Sequence, residues 1–578
     1  MGQGIKKRGQ KIVKHFSRIS KKASEEGKEH LRENVVDRIS HIKNIKLLIL
    51  EWSLLVLAII ALSITQSFLY TESYATSAYV KGGTYSEATI GRINSLNPLF
   101  ANTDSEKALS KLMFSTLSAV DYSGHIGLGL ADSIVTDDSG TIWTVRLRDN
   151  LKWSDGEPIT NEDVVFTVHL IQLPTINSNY STNLTNVQVS VSDDGNLIFT
   201  LPTAYANFVS ALEFPILPEH ILKDVNPTLL LEHTFSNSPI TSGAFTFKAS
   251  QAVGNTGEKV VYLTPNEYYY KGAPLVDSFA IHAYMETDDI ITAINSGNVT
   301  ATAALSPIDA DEITATNIYE KQTALNSGVF AFFNTNSPVM SNKLVRQALQ
   351  QGIDMRSLRA PLGDEEALDY PLLPDQLEVA DLPKIPEYDP DAARAKLVSS
   401  GITEGQKITL ATINTGYFMD LADNLRFQLE RLGFSVVLNI MPPGQEFLMT
   451  VIRPRNYDIL LYEIELGSDP DLFAYYHSSQ VSENGLNLAN YRNTIASDAV
   501  LAMRTTLDPN LKATKYKTFL KAWIDDVPAI GIYRVNLSYY VNKNVRSFSE
   551  DVRLVTPVDR FVDVQYWATE RATKNRTP

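Results

Sequence analysis

A long apolar segment near the N-terminus limits how this chain can fold more than any other feature. Residues 47–69 read LLILEWSLLVLAIIALSITQSFL, and Glu51 is the one charged residue among them. A helix of about 20 apolar residues crosses the hydrocarbon core of a bilayer, and this segment has that length. The pattern therefore predicts one transmembrane helix over residues 47–70, in contact with the lipid bilayer.

The charge of the chain changes sign across this segment. Residues 1–46 contain 13 lysines and arginines and 5 acidic residues, a net charge of +8. The whole chain carries −15, so residues 47–578 carry −23. Because basic residues favour the cytoplasmic side of a membrane, we expect a cytoplasmic N-terminus and an acidic body on the extracellular or periplasmic side.

Two other interpretations of the apolar segment are less favoured. A signal peptide cleaved near Ala75–Ala78 would have an unusually long basic region before it. A buried core helix would not explain the change of charge. The basic tail before the segment is either solvated or an amphipathic helix on anionic lipid, with Ile12, Phe16 and Ile19 on its apolar face.

Composition and motifs exclude several classes of protein. The chain has no cysteine, so it has no disulfide framework, thiol nucleophile, zinc–thiolate site or lipid-modified N-terminal cysteine. An acidic body disfavours nucleic-acid binding, because phosphates require lysine and arginine. The sequence contains no G-x-S-x-G, H-E-x-x-H, P-loop or G-x-G-x-x-G motif. We therefore expect no enzyme activity and predict no catalytic residue, cofactor or metal site.

Beyond residue 80, strand-like and helix-like segments alternate, which indicates a mixed α/β protein. Residues 141–148 alternate with a period of two, as in a half-buried strand. Asp389 before Pro390 predicts the start of a helix that Gly401 ends. Residues 408–414, 419–432 and 434–440 predict a strand, a helix and a strand. A unit of this kind implies a parallel strand pair.

A series of motifs in a fixed order resembles the family 5 extracellular solute-binding proteins, the oligopeptide and dipeptide binders of ABC importers. The motifs are Gly82–Tyr85, Ser95–Pro98, Leu130–Ser133, Trp143–Pro158, Asn161–Phe166, Ser242–Phe247, Asn266–Pro274, Val345–Leu349, Tyr388–Ala393 and Asn456–Asp458. Each motif alone is weak, but their order is specific and covers nearly all of residues 80–570.

The resemblance implies an α/β, two-lobed fold of the periplasmic-binding-protein type II, with an extra inserted domain and one transmembrane helix before it. The resemblance also implies how the chain is divided into domains. The expected division comprises a basic cytoplasmic tail (1–46), the transmembrane helix (47–70), a linker (71–80), lobe I (80–110, 240–325 and 530–578), an inserted domain (111–239) and lobe II (326–529).

Proteins of this family hold an extended peptide between the two lobes and deliver it to ABC permease subunits that work with a cytoplasmic ATPase. Two segments of this chain match the family's ligand strands, one in Phe114–Leu117 and one in Tyr462–Glu465. The predicted ligand-binding residues are Ser115, Thr116, Leu117, Tyr462, Glu463, Ile464 and Glu465. Ordinary core strands would give the same pattern, so both interpretations stay open.

One departure from the family affects the expected ligand. Peptide binders usually have a tryptophan in the second strand and, three residues later, an aspartate that pairs with the peptide's amino terminus. This chain has Glu463 and Leu466 at those positions. Glu463 and Glu465 share one face of a strand, where they either supply negative charge for a cationic ligand or are solvated.

Three alternatives to peptide import follow from the sequence. The ligand could be a metal chelate, an oligosaccharide or a cationic small molecule. The protein could also be a membrane-tethered sensor whose output passes through the helix and the basic tail. A hydrolase is the least favoured, because Glu463 and Glu465 lie on one strand, whereas a glycosidase draws its two carboxylates from facing walls.

Overall fold

The computed structural model describes most of the chain as two compact units. The described residues are 46–254, 257–362, 366–373, 381–468, 471–549 and 551–575, with positions 17, 24, 25, 28 and 376. One unit comprises residues 1–78 and 571–578, and the other comprises residues 79–570. The amphipathic helix considered for Ile12, Phe16 and Ile19 lies outside the described residues.

The apolar segment forms a single long helix, α1 (Lys46–Tyr74). Its stretch Leu48–Gln66 is long and apolar enough to cross a membrane, and none of it is buried against protein. The structure therefore disfavours the buried core helix, whereas an anchor and a signal sequence both fit this stretch. The helix continues past its predicted end at residue 70. A strand, Ala75–Val80, occupies much of the predicted linker 71–80.

Strands and helices alternate through the rest of the described chain. The strands are β1 (Ala75–Val80), β2 (Thr84–Ile90), β3 (Ser118–Val120), β4 (Ile126–Leu128), β5 (Ala131–Thr136), β6 (Ile142–Leu147), β7 (Gln188–Val191), β8 (Leu197–Thr200), β9 (Phe245–Val253), β10 (Glu258–Pro265), β11 (Ser278–Tyr284), β12 (Ala301–Thr302), β13 (Ile318–Phe333), β14 (Gln406–Ile413), β15 (Phe434–Met441), β16 (Ile459–Glu465), β17 (Ala529–Asn542) and β18 (Glu570–Asn575). The longer helices after α1 are α2 (Asp104–Met113), α3 (Asn161–Gln172), α4 (Thr287–Ser296), α5 (Lys343–Gly352), α6 (Pro390–Ser400), α7 (Phe418–Arg431), α8 (Thr494–Thr505) and α9 (Pro509–Asp526). A 3₁₀ segment, Pro557–Tyr566, follows β17.

Ten strands form one mixed sheet in the order β15-β14-β16-β13-β17-β12-β2-β11-β10-β9. The two long strands at its centre, β13 and β17, pair antiparallel from Ile318↔Asn542 to Phe332↔Ala529. This ladder is interrupted between Ala324 and Gly328. On one side of the break β17 pairs with β12, and on the other side β13 pairs with β16. These two strands therefore connect the two halves of the sheet.

Several helices and strands lie where local signals in the sequence predict them. Strands β14 and β15 pair in parallel across α7, as the strand–helix–strand pattern predicts. The Asp389 carboxylate accepts hydrogen bonds from the backbone N–H groups of Asp391 and Ala392, which caps α6. Gly401 ends α6 with φ of 76°, a left-handed conformation that favours glycine.

Apolar side chains alternate along β13 and fill both faces of the sheet within predicted lobe II. Phe330 and Phe332 pack with Trp523 of α9 on one face. Val329, Ala331 and Phe333 pack with residues of α5 and α7 on the other face. Residues of the predicted inserted domain and of predicted lobe I instead share one continuous core. The domain bounds thus stay predictions, and the hydrophobic core alone does not separate residues 111–239 from lobe I.

Candidate ligand-binding cleft

A cavity of about 540 Å³ lies in the unit formed by residues 79–570. Its walls come from β2, α2, the segments 179–180 and 213–215, the start of the 3₁₀ segment, and Glu465 at the end of β16. Glu465 belongs to predicted lobe II, and the remaining walls belong to predicted lobe I and the inserted domain. The cavity therefore lies where the predicted lobes face each other.

One face of α2 forms a wall of the cavity. Asp104, Lys107, Lys111 and Phe114 are spaced three, four and three residues apart, which places them on one side of a helix. The start of α2 is fixed by a capping box. The Thr103 hydroxyl accepts from the Glu106 N–H at 3.2 Å, and the Glu106 carboxylate accepts from the Thr103 N–H at 3.2 Å.

A buried charge cluster forms the base of this wall. The Lys111 ammonium contacts the carboxylates of Asp559 at 2.8 Å and Glu213 at 3.1 Å. Burial by itself lowers the pKa of Lys111, but the two carboxylates outweigh burial and the net pKa is raised. Burial raises the pKa of Glu213, and Lys111 offsets part of this shift. The cluster thus contains two carboxylates for one ammonium group.

A second buried network holds Arg560 at the cavity. The Arg560 guanidinium donates to one oxygen of Glu87, through Nε at 2.9 Å and Nη2 at 2.5 Å. The other Glu87 oxygen accepts from the Tyr539 hydroxyl at 2.8 Å. The Tyr539 and Tyr85 hydroxyls lie 2.6 Å apart. These hydrogen bonds link all four side chains of the network, and the Arg560 and Glu87 charges cancel, so the network fixes Arg560 without leaving a net charge.

The first predicted ligand segment contributes one of its three residues to the cavity. Thr116 lines the cavity together with the neighbouring Phe114. The Ser115 hydroxyl donates to the backbone oxygen of Ser242 at 2.8 Å. Leu117 is fully buried in the core. Ser115 and Leu117 thus pack behind the cavity wall, whereas Thr116 lines the cavity.

The second predicted segment is split between the two faces of β16. Tyr462 and Ile464 pack into the core of predicted lobe II. Glu463 and Glu465 are on the other face, as strand alternation requires, and Glu465 is exposed at the cavity. Burial, then the carboxylates of Glu465 and Asp104, raise the pKa of Glu463, while a hydrogen bond from Ser327 offsets part of the shift. Of the four predicted residues of this segment, Glu465 is the one that lines the cavity.

Leu466, at the position where peptide binders usually have an aspartate, is 4% exposed and packs in the same core as Ile464. Its backbone N–H donates to the Asn326 carbonyl at 2.7 Å. An apolar side chain in the core cannot pair with an ammonium group. Any cationic group of a ligand therefore needs another carboxylate in this cleft.

Sequence reasoning did not identify several residues of the cavity. They are Asp104, Lys107, Lys111, Tyr180, Glu213, Asp559 and Arg560. The helical spacing of Asp104, Lys107 and Lys111 is a signal that the sequence does contain. Nothing in the sequence indicates that Glu213 and Asp559 meet Lys111, because they lie 102 and 448 residues away along the chain.

The fold and the cleft are those of a two-lobed solute-binding protein. The chain belongs to the bacterial extracellular solute-binding proteins, family 5, whose middle-region model matches residues 125–485. The oligopeptide-binding protein AppA of Bacillus subtilis is 26% identical over 505 residues, covering 81% of this chain and 89% of AppA.

Solved structures show the same fold. AppA of Bacillus subtilis in complex with a nonapeptide superposes with a TM-score of 0.71 and 23% identity, covering 85% of this chain and 99% of AppA. NikZ of Campylobacter jejuni in complex with Ni(L-His) superposes with a TM-score of 0.70 and 22% identity, covering 84% of this chain and 99% of NikZ. At these identities the likeness establishes the fold and not the ligand.

The raised pKa of Glu463 predicts a pH-dependent cost to stability. The cost is absent below the pKa of an unfolded glutamate, roughly 4.3, and develops as the pH rises through the raised pKa. We expect Glu463→Gln to raise the melting temperature at about pH 8 and to change it much less at about pH 4. Glu446→Gln, at an exposed position, is the control. An equal effect of Glu463→Gln at both pH values would contradict this prediction.

Proposed function

We propose that this protein captures peptides or peptide-like solutes outside the cytoplasm and delivers them to an ABC importer. Membership of the solute-binding family, together with a charged cavity between the predicted lobes, carries this proposal. The relative AppA is named an oligopeptide-binding protein, and its solved structure contains a nonapeptide. Permease subunits with a cytoplasmic ATPase are the expected partners, and no chemical turnover of the ligand is expected.

Thr116 and Glu465 are the predicted site residues that we expect to contact the ligand. They line one cavity, Thr116 from the predicted inserted domain and Glu465 from predicted lobe II. A ligand that touches both lobes is bound more tightly by the closed form, so its binding shifts the equilibrium toward closure. The permease would then recognise the closed form.

A contact between the predicted inserted domain and predicted lobe II supports this closing mechanism. The Arg504 guanidinium lies 4.2 Å from the ring centroid of Tyr205 and 4.8 Å from that of Phe473. It also pairs with the Asp471 carboxylate at 2.7 Å. The Ala206 N–H donates to the Arg504 carbonyl at 2.8 Å. The contacts with Tyr205 and Ala206 join the two predicted domains, whereas those with Phe473 and Asp471 lie within predicted lobe II. We infer that the contacts with Tyr205 and Ala206, the Arg504 clamp, form when the cleft closes and break when it opens.

A non-peptide ligand is the second candidate. The buried Leu466 removes the usual amine anchor, while Asp104 and Glu465 leave exposed carboxylates at the cavity. A relative of the same fold, NikZ, is solved with Ni(L-His). A metal chelate, an oligosaccharide or a cationic small molecule would be bound by the same closing mechanism. The same mechanism would also serve a ligand sensor without a transport role.

We further propose that α1 anchors the protein in the cell membrane, with the N-terminus in the cytoplasm and the binding unit outside. The apolar stretch Leu48–Gln66 and the change from +8 to −23 support this topology. Anchoring by a helix also suits a chain without a cysteine for lipid attachment.

The first test of this function identifies the natural ligand. The full-length protein is purified in detergent, and co-purifying small molecules are identified by mass spectrometry after denaturation. We expect short peptides of mixed sequence, because backbone hydrogen bonds bind peptides without strong sequence preference. Recovery of one defined non-peptide compound would instead support the second candidate.

The anchor is tested in cells that express the full chain. We expect the protein to stay in the membrane fraction after a high-salt wash, since a transmembrane helix is retained by apolar contacts with lipid. External protease should remove the binding unit but spare an epitope at residue 1. Release of a soluble protein that lacks residues 1–78 would show cleavage near Ala75–Ala78 instead.

The closing mechanism is tested with Arg504→Ala. Loss of the cation–π contact with Tyr205 should destabilise the closed form by about 0.5–2 kcal/mol, or roughly 2- to 30-fold in the closure equilibrium. The measurement is the distance between spin labels in the inserted domain and lobe II, without ligand. Arg426→Ala is the matched control, because Arg426 forms an exposed ion pair within α7. Identical distance distributions in all three proteins would rule out the Arg504 clamp.

A further inference from the structure

The buried and half-buried charged side chains of the two networks at the cavity contain one more negative charge than positive charge. Arg560 is balanced by Glu87, which accepts two of its hydrogen bonds. Lys111 is balanced by Asp559, its shorter contact at 2.8 Å. Asp559 is itself held by the Thr556 N–H and hydroxyl, each at 2.8 Å. Glu213 is the carboxylate that is left without a cation of its own.

Glu213 has the access that a ligand contact requires. Its side chain is 26% exposed, compared with 3% for Asp559, and it lines the cavity. Within the described part of the chain it accepts hydrogen bonds from the Lys111 side chain at 3.1 Å and from the Val120 backbone. A carboxylate has room for about four hydrogen bonds, so Glu213 can accept more from a ligand.

The backbone around Glu213 is fixed by the first predicted ligand segment. The Ser118 N–H donates to the Leu212 carbonyl at 3.4 Å, and the Ile216 N–H donates to the Ser115 carbonyl at 3.2 Å. Thr116 and Pro215 form an isolated β-bridge between these two bonds. The carboxylate is therefore held in place before a ligand arrives, which reduces the entropy lost on binding.

Tyr180 supplies a second polar group beside Glu213. Burial, then the negative charge of Glu213, raise the pKa of Tyr180 to about 12, so its hydroxyl is neutral at physiological pH. The Tyr180 side chain lines the same cavity and has no hydrogen-bond partner within the described residues. A neutral hydroxyl can accept a hydrogen bond from a cation that also contacts the carboxylate.

We propose that Glu213 anchors a cationic group of the ligand, an ammonium or guanidinium, with the Tyr180 hydroxyl as a second acceptor. This assignment rests on the proposed binding function, and it specifies that the cleft selects a ligand with a positively charged group. It also provides the carboxylate that the buried Leu466 cannot supply. Lys111 does not prevent binding of a second cation, because Asp559 already neutralises it.

Binding of a cation should release a proton from the site. The raised pKa of Glu213 means that part of the free protein holds this carboxyl in its protonated form near that pKa. A bound cation favours the ionised form and displaces the proton, so affinity should rise with pH through this range. The charged and titratable groups that face Glu213 are Lys111, Asp559 and Tyr180.

The assignment is tested by calorimetry on the full-length protein in detergent, in two buffers of different ionisation enthalpy. The probes are Ala-Lys-Ala, N-acetyl-Ala-Lys-Ala, Ala-norleucine-Ala, N-acetyl-Ala-norleucine-Ala-amide and agmatine. We expect cationic probes to bind with proton release and the neutral peptide to bind at least about 10-fold more weakly. The acetylated lysine peptide and the norleucine peptide distinguish a side-chain ammonium from the amino terminus.

Variants separate the role of Glu213 as an anchor from a merely structural role. Glu213→Gln should weaken binding of the cationic probe by about 10- to 100-fold and abolish proton release. Glu213→Asp keeps the charge and should retain intermediate affinity, which also guards against a folding defect in the first variant. Glu430→Gln, on the exposed face of α7, is the matched control and should bind as the wild type does.

The assignment is overturned if neutral and cationic probes bind equally, if no cationic probe binds, or if Glu213→Gln keeps wild-type affinity and proton release. The outcomes that contradict peptide binding can be distinguished from those that contradict the anchor. If no peptide binds but agmatine binds through Glu213, the protein is a binder of cationic small molecules and the anchor stands. If neutral peptides bind as well as charged ones, peptide capture stands and the anchor fails.

Discussion

The hydrogen bonds between β13 and β17 run through the centre of the ten-stranded sheet, and the rest of the binding unit is built outward from them. Strands β16, β14 and β15 follow on one side, and β12, β2, β11, β10 and β9 follow on the other. The break between Ala324 and Gly328 interrupts the ladder where the two halves meet. Arg534 bridges this break, with Nε donating to the Leu325 carbonyl at 2.8 Å and Nη2 to the Asn326 side chain at 3.0 Å. A ladder with a local gap filled by a side chain can bend there at a smaller cost than a continuous one.

Charged side chains have one function in the cleft and another in β13 and β17, the strands that cross between the two halves of the sheet. Around the break, Arg534 satisfies backbone and amide oxygens, which keeps a buried irregular segment stable. In the cavity wall, burial raises the pKa of Glu213, and burial likewise raises the pKa of Glu463 in the neighbouring strand β16. Ionised groups in such surroundings lower the stability of the empty protein, and a ligand of opposite charge offsets that loss. The proposed cation anchor would thus link ligand affinity to the stability of the cleft.

Local elements of this fold could be predicted from sequence because their causes are local. The cap at Asp389, the stop at Gly401 and the parallel pair β14–β15 each depend on residues close together in the chain. Glu463 and Glu465 were expected on one face because strand periodicity alone dictates it. The charge cluster was not predictable in this way, since Lys111, Glu213 and Asp559 meet only after distant segments have packed. Nor could strand periodicity show that Leu466, just beyond β16, would be buried, because the chain leaves the strand there.

In helix α2, the side chains that pack in the core are different from the side chains that line the cavity. Ala108, Leu109 and Leu112 lie in the core, while Asp104 and Lys107 are exposed on the adjacent, cavity-lining side of the helix. Substitutions at those two exposed positions change the charge of the wall without creating a void in the core. A descendant of this protein could therefore acquire a new solute by changing single residues of α2, while the same apolar stripe keeps the helix in place.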